Sequence, residues 1–277
     1  MFKALFTLVL TFSMLFVRAQ SSIEVGFNGG GALYNGDLSP AFNKDYPKFV
    51  EPAFGLFVRK DFSKMFSGRI HLHQARLRGS DVEAGRNFRN LNFRNNITEL
   101  SLLGEINLLN VPVGYRYFQF YLFGGGAVFH HNPKTFYQGT FVELQPLGTE
   151  GQGIAGNPDN YSKVQLALPF GGGLKIPIGS TVKLTLEAGA RKMFFDYIDD
   201  VGDLAVNYDE LLAGNGPLAV ALFDRTHELS GEAPSPFTTG TRGGEFDDWY
   251  YIFTLGISFD LNVTPRGGGR NAKCPTF

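Results

Sequence analysis

The chain has one cysteine, Cys274, in 277 residues. No internal disulfide framework can form from a single thiol. After the first twenty residues no hydrophobic run approaches the ~20 residues of a membrane helix without meeting charges or glycines. Charged residues make up only 18% of the chain and nearly cancel, leaving a net charge of −1. With no basic excess, composition gives no reason to expect nucleic acid as a partner. What is plentiful is glycine (35), phenylalanine (28) and tyrosine (11), which suits an exported all-β protein. A chain of this length can fold without cross-links.

The first residues read as a leader. Lys3 gives a short positive start, and an apolar run extends from Ala4 to Val17. Val17 and Ala19 are placed for cleavage ahead of Gln20, so residues 1–19 are expected to be a cleaved signal peptide. An uncleaved membrane helix is the alternative, but the run falls short of the length needed to span.

Period-two alternation dominates the rest. In the stretch from Trp249 to Leu261, Trp249, Tyr251, Phe253, Leu255, Ile257, Phe259 and Leu261 share one face. Ile252, Thr254, Gly256, Ser258 and Asp260 share the other, because successive strand residues point to opposite sides. The apolar face is long, with aromatics near both ends, as lipid-facing barrel strands are. Seven further strands are expected: 23–34, 52–60, 68–77, 97–109, 118–129, 161–178 and 181–191. The fifth is apolar on both faces and broken by Gly124–Gly126, so its register stays open. Arg69, His71, Glu99, Glu105, Lys183, Glu187, Arg191 and Asp260 fall opposite the apolar faces, facing water in a sandwich or a lumen in a barrel.

Connection lengths decide between these. Residues 61–67, 110–117 and 179–180 make short links, and 35–51, 78–96, 130–160 and 192–248 make long ones, in strict alternation. Outer-membrane barrels have short periplasmic turns and long extracellular loops; a Greek-key sandwich has no reason to alternate. The expected fold is all-β: an antiparallel up-and-down transmembrane β-barrel of about eight strands over residues 20–261. A flexible periplasmic tail, 262–277, follows. An interior that side chains can fill argues against a general porin. Function should then lie in the loops, a lumen plug or the periplasmic surface.

Candidate chemistry is thin. His71 and His73 lie on one strand face and His130–His131 begin a loop, but no third ligand is placed, so no metal and no cofactor is expected. Asp196, Asp199, Asp200, Asp203 and the pair Asp247–Asp248 lack an EF-hand spacing and read as a solvated loop. Ser101, His71 and Glu99 could meet in the lumen as a lipid-modifying triad, yet nothing flanks them as a nucleophile elbow; no catalytic residue is assigned. Gly29–Gly31, Gly124–Gly126 and Gly171–Gly173 lie inside strands and let a small barrel bend. Cys274, near the periplasmic chain end, is either a partner-binding thiol forming an intermolecular disulfide or a free tail thiol.

Several segments together carry a family resemblance. They are Tyr34 to Leu38 (YNGDL), Arg89 to Arg94 (RNLNFR), Tyr121 to Gly126 (YLFGGG), His131 to Lys134 (HNPK), Leu144 to Gly153 (LQPLGTEGQG), Asp196 to Val201 (DYIDDV) and Asp248 to Tyr250 (DWY). The chain resembles the PorG-type outer-membrane barrels of the type IX secretion system, and the broader group of barrels around them. The resemblance covers nearly the whole mature chain, and Gln145 to Gly153 is its most specific part. It implies a non-enzymatic component of the secretion machinery in the outer membrane, docking a periplasmic ring of lipoprotein and soluble subunits and serving cargo export and gliding. The alternative is a small structural or adhesive barrel acting through its extracellular loops.

Overall fold

The computed structural model of the protein describes residues 22–39, 46–84, 89–113, 116–179, 181–231, 241–244 and 247–261. The expected leader (1–19) and the expected tail (262–277), with Cys274, lie outside the described residues.

Among the described residues ten strands form one antiparallel sheet: β1 (Ile23–Asn35), β2 (Glu51–Asp61), β3 (Phe66–Ser80), β4 (Asn92–Val113), β5 (Arg116–His130), β6 (Lys134–Tyr137), β7 (Thr140–Glu143), β8 (Val164–Pro177), β9 (Val182–Met193) and β10 (Trp249–Asp260). β1 pairs with both β2 and β10, and β3 with β4, so eight strands close on themselves. β6 and β7 are a hairpin hung from β4 where Arg94 meets Lys134. Closure removes every sheet edge from the wall. Followed pair by pair from Lys60 through Gly124 and Tyr251, the register returns to β2 displaced by about ten residues, the stagger that closing a tilted sheet requires.

Short and long connections alternate as the sequence implies. The short ones join β2–β3, β4–β5 and β8–β9, and the long ones rise from the other end. Within the last long connection the structure departs from expectation. Residues read as loop hold a helix, Tyr208–Phe223, capped by the Asn207 side chain on the amides of Asp209 and Glu210. Gly216, at φ 84°, kinks it ahead of Pro217. The β6–β7 hairpin is likewise an addition, closed by Gln138 and Gly139, both at positive φ.

Alternation sorts the wall into two surfaces. Phe54, Leu56 and Val58 stand outward on β2, as do Ile70 and Leu72 on β3, Leu166, Leu168 and Phe170 on β8, and Phe253 and Leu255 on β10. Their neighbours Arg59, Arg69, His71, Glu99, Glu105 and Arg191 point inward and are almost wholly buried. The register left open in β5 is now fixed: Tyr121, Phe123 and Phe129 face in, Leu122 and Val128 out. Among the described residues no helix is long and apolar enough to cross a membrane.

Candidate functional site: a filled interior beneath a folded roof

Nearest the short turns, the lumen is filled by paired charges. Glu105 on β4 receives Arg59 (2.9 Å), Arg69 (3.1 Å) and Lys175 (2.8 Å). Arg59 continues to Glu24 at 3.0 Å, and Glu24 also takes Lys183 and the hydroxyl of Ser258. Arg69 continues to Glu187 at 2.6 Å, which accepts the Tyr121 hydroxyl at 2.7 Å. Aromatic faces line the cations: Arg59 lies 5.0 Å from the Phe57 ring centre and Lys175 4.5 Å from that of Tyr121. Charges buried this deeply persist only where each is paired and hydrogen-bonded.

One layer up, Glu99 accepts the Tyr250 hydroxyl (2.6 Å) and pairs with Arg191 at 3.3 Å. The rings of His71 and His73 lie against each other at a tilt of 37° with centres 3.7 Å apart, and His73 Nδ1 stands 3.7 Å from Glu99. Above them an apolar layer closes the bore, built from Ala75, Leu77, Phe93, Ile97, Phe129 and Met193 with Leu38 and Ile198 from the loops.

The candidate residues sort clearly against this geometry. His71 and His73 do sit together in the lumen, but His130 points outward while His131 is buried. Among the described residues no group of three or more His, Cys, Asp or Glu side chains is arranged to hold a metal. Ser101 lies directly across from His71, but its hydroxyl donates to the His71 main-chain carbonyl at 3.3 Å. Glu99 neighbours His73 rather than His71. A nucleophile needs its base within hydrogen-bond reach, and this trio does not provide that relay.

The acidic cluster is a correction. Expected as a solvated loop, Asp199, Asp200 and Asp248 are buried in a roof over the barrel. Asp199 and Asp248 both take the hydroxyl of Tyr34, at 2.6 and 2.8 Å. Asp200 takes the hydroxyls of Thr149 and Tyr161 (2.6 Å for Tyr161) and pairs with Arg242 at 3.3 Å. Arg242 also holds Glu150 at 3.0 Å. Burial pushes the Asp200 and Glu150 carboxyls above their ordinary range, with Arg242 pulling the other way. His131, stacked 5.7 Å from Tyr161, is lowered to about 4, chiefly by burial. Residues 144–153 build the roof's turns. Gly148, at φ 54°, could not carry a side chain, since a Cβ would lie 2.4 Å from the Gln152 carbonyl. Asn215 of the helix ties this block down by donating to the carbonyls of Gly148 and Gln152, at 2.7 and 3.0 Å. Arg242 was not singled out by the sequence, and Tyr34 and Glu150 stood there only inside segments of family resemblance, with no role in a site. Their partners lie up to 214 positions apart, as for Tyr34 and Asp248, and alternation carries no such information.

A closed eight-stranded barrel with an ion-paired interior and an apolar exterior is the class this geometry defines. Residues 2–217 match the profile of DUF6089, a domain of unknown function, and the chain belongs to that family. No curated protein matches it. Similar solved structures include Neisserial surface protein A (6% identity, 88% of this chain and 100% of that one, TM-score 0.43). They also include the N-terminal β-barrel domain of Pseudomonas aeruginosa OprF (11%, 88% and 100%, TM-score 0.38). A third is the attachment invasion locus protein Ail of Yersinia pestis in complex with the heparin analogue sucrose octasulfate (11%, 87% and 97%, TM-score 0.39). Likeness at this level transfers no residue roles.

Proposed function

We propose that the protein is a non-enzymatic barrel of the bacterial outer membrane that works through its two ends rather than as a channel. The filled interior carries this reading: among the described residues, ion pairs, then an apolar layer, then a roof occupy the bore. The apolar exterior supports the membrane setting. Wet backbone is not tolerated in hydrocarbon, and a closed barrel is one of the two architectures that avoid it. In this reading Trp249, Tyr251, Phe253, Leu255, Ile257 and Phe259 touch acyl chains, and the short turns lie in the periplasm.

The finer role follows from the sequence resemblance: a component of the type IX secretion machinery that docks a periplasmic ring lipoprotein and its ring subunits. The tail with Cys274 would begin on the same side as the short turns, because an even number of strands returns both chain ends to one face. Gentle purification from native membranes tests this. A periplasmic lipoprotein should co-elute and should be lost on deleting residues 262–277. Non-reducing gels of the protein and of Cys274→Ser test the covalent version, which identical monomer bands would reject.

A second reading, adhesion through the loops, is favoured by one observation. The described parts of the long connections build a roof with a helix and buried ion pairs, a platform rather than a fringe. Under that reading, trimming residues 192–248 abolishes function and removing residues 262–277 does nothing.

A further inference from the structure

We propose that the outer wall across β3, β4 and β5 binds an anionic phospholipid of the leaflet at the short-turn end, with an acyl chain in a glycine-floored groove and the phosphate held by Lys60 and Lys64. The inference rests on the membrane reading above and adds a specific site to it.

The starting point is a contrast among glycines. A Cβ on Gly125 would lie 2.0 Å from the Leu102 carbonyl oxygen, and one on Gly171 2.2 Å from that of Ala188. Crowding within the chain explains those two. Gly104 and Gly124 face outward as direct cross-strand partners, with Gly68 next in the same row. A Cβ on Gly104 would meet nothing nearer than 3.8 Å, and one on Gly124 nothing nearer than 3.9 Å. Glycine inside a strand weakens it, and often marks a place where something else approaches the backbone closely. Nothing in the chain itself requires glycine at these two positions.

What the pair creates is a groove of about 620 Å³, walled by Phe62, Phe66, Ile106 and Leu122. That volume is within the range of small-molecule clefts. The trail continues at Gly126, where a Cβ would meet nothing within 4 Å, into a second apolar groove of about 540 Å³ between Leu100, Leu102 and Leu166. A flexible hydrocarbon chain therefore has a path up the wall.

Charge at the mouth selects the occupant. Lys60 ends the outward apolar series Phe54, Leu56, Val58 on β2, and pairs with Gly68. Its ammonium stands 5.9 Å from the centre of the Phe62 ring that walls the groove. Lys64 is exposed in the adjoining turn. Neither lysine has a carboxylate partner among the described residues, and the nearby Asp61 instead takes the Ser67 hydroxyl at 2.6 Å. A lysine stem lying on apolar surface with its head at the interface is suited to a lipid phosphate.

The test is retention of phospholipid after transfer from nanodiscs of phosphatidylethanolamine and phosphatidylglycerol into detergent, read by native mass spectrometry. The full chain should retain phosphatidylglycerol in preference. Gly104→Leu fills the groove and should lose the bound lipid, with Gly124→Leu as the second variant should the first fold poorly. Lys60→Gln and Lys64→Gln should each reduce the preference by about fivefold, the worth of a basic residue at an anionic surface. Equal retention by the protein and a folded groove-filling variant would overturn the site. So would a cross-linked dimer abolished by Gly104→Leu, which would give the groove to a second copy. Failure of the protein to enter nanodiscs at all would instead bring down the membrane reading beneath it.

Discussion

Asp199 and Asp248 share a single hydrogen-bond partner, the hydroxyl of Tyr34, at 2.6 and 2.8 Å. That hydroxyl has one proton to give. Each carboxyl also accepts a main-chain amide, Val201 for Asp199 and Ile198 for Asp248. The arrangement is complete when one carboxyl is protonated and donates back to the tyrosine oxygen. Burial raises Asp199 to about 8 and Asp248 well above the ordinary range, and their mutual proximity adds to the rise in Asp248.

The pH dependence of the roof follows. The unfolded carboxyls titrate at about 3.9, so the folded roof binds protons more tightly than the unfolded chain. The stability that these carboxyls contribute is full below about pH 4 and is lost as pH rises through about 8, the value for Asp199. Hydrogen exchange over residues 196–203, corrected for intrinsic rate, should show greater protection at pH 5 than at pH 9. Asp199→Asn keeps a neutral donor in place and should flatten that dependence.

Glu105 is the keystone of the lower interior, since Arg59, Arg69 and Lys175 all converge on it. Glu105→Gln leaves three buried cations short of their counter-charge. The expected cost is about 3–5 kcal/mol in a urea titration of the lipid-reconstituted protein, the scale for breaking a buried pair from one side. Adding Lys175→Met removes one surplus charge and should recover part of the loss.

The outer face has its own mutation. Phe253 lies mid-strand on the exposed side of β10. Phe253→Arg should cost about 2–4 kcal/mol in bilayers, as measured by reversible unfolding from vesicles. Leu255→Phe at the next outward position should change little.

In the roof, Gly148→Ala forces a Cβ into the Gln152 carbonyl and a side chain onto a left-handed backbone. Limited proteolysis should then cut within residues 144–160 while the barrel stays intact on heat-modifiability gels. That would separate the roof from the wall as a unit of local stability.

Much of the wall was legible in the sequence because alternation is a local signal. Period two alone puts the apolar set of β10 and the charges of β3, β4 and β9 on opposite faces, and the alternation of short and long connections is what turns those charges inward. β5 resisted, because Tyr121 and Leu122 are both apolar and Gly124–Gly126 erase the pattern; only pairing with β4 and β8 fixes which faces the lumen. The helix Tyr208–Phe223 was hidden within residues 192–248, and its glycine–proline kink interrupts helical periodicity. The acidic run was misread for a different reason. Whether Asp200 is solvated depends on Arg242 and Tyr161, which the sequence places 42 and 39 positions away.

Side-chain access in a bilayer tests the central claim most directly. Spin labels introduced singly at Leu255 and Thr254, in a Cys274→Ser background reconstituted into vesicles, can be relaxed by oxygen from the lipid or by a water-soluble nickel chelate. The account predicts strong oxygen relaxation at 255 and weak relaxation by either reagent at 254, inside the filled lumen. A label at 255 relaxed mainly by the aqueous nickel reagent would contradict it.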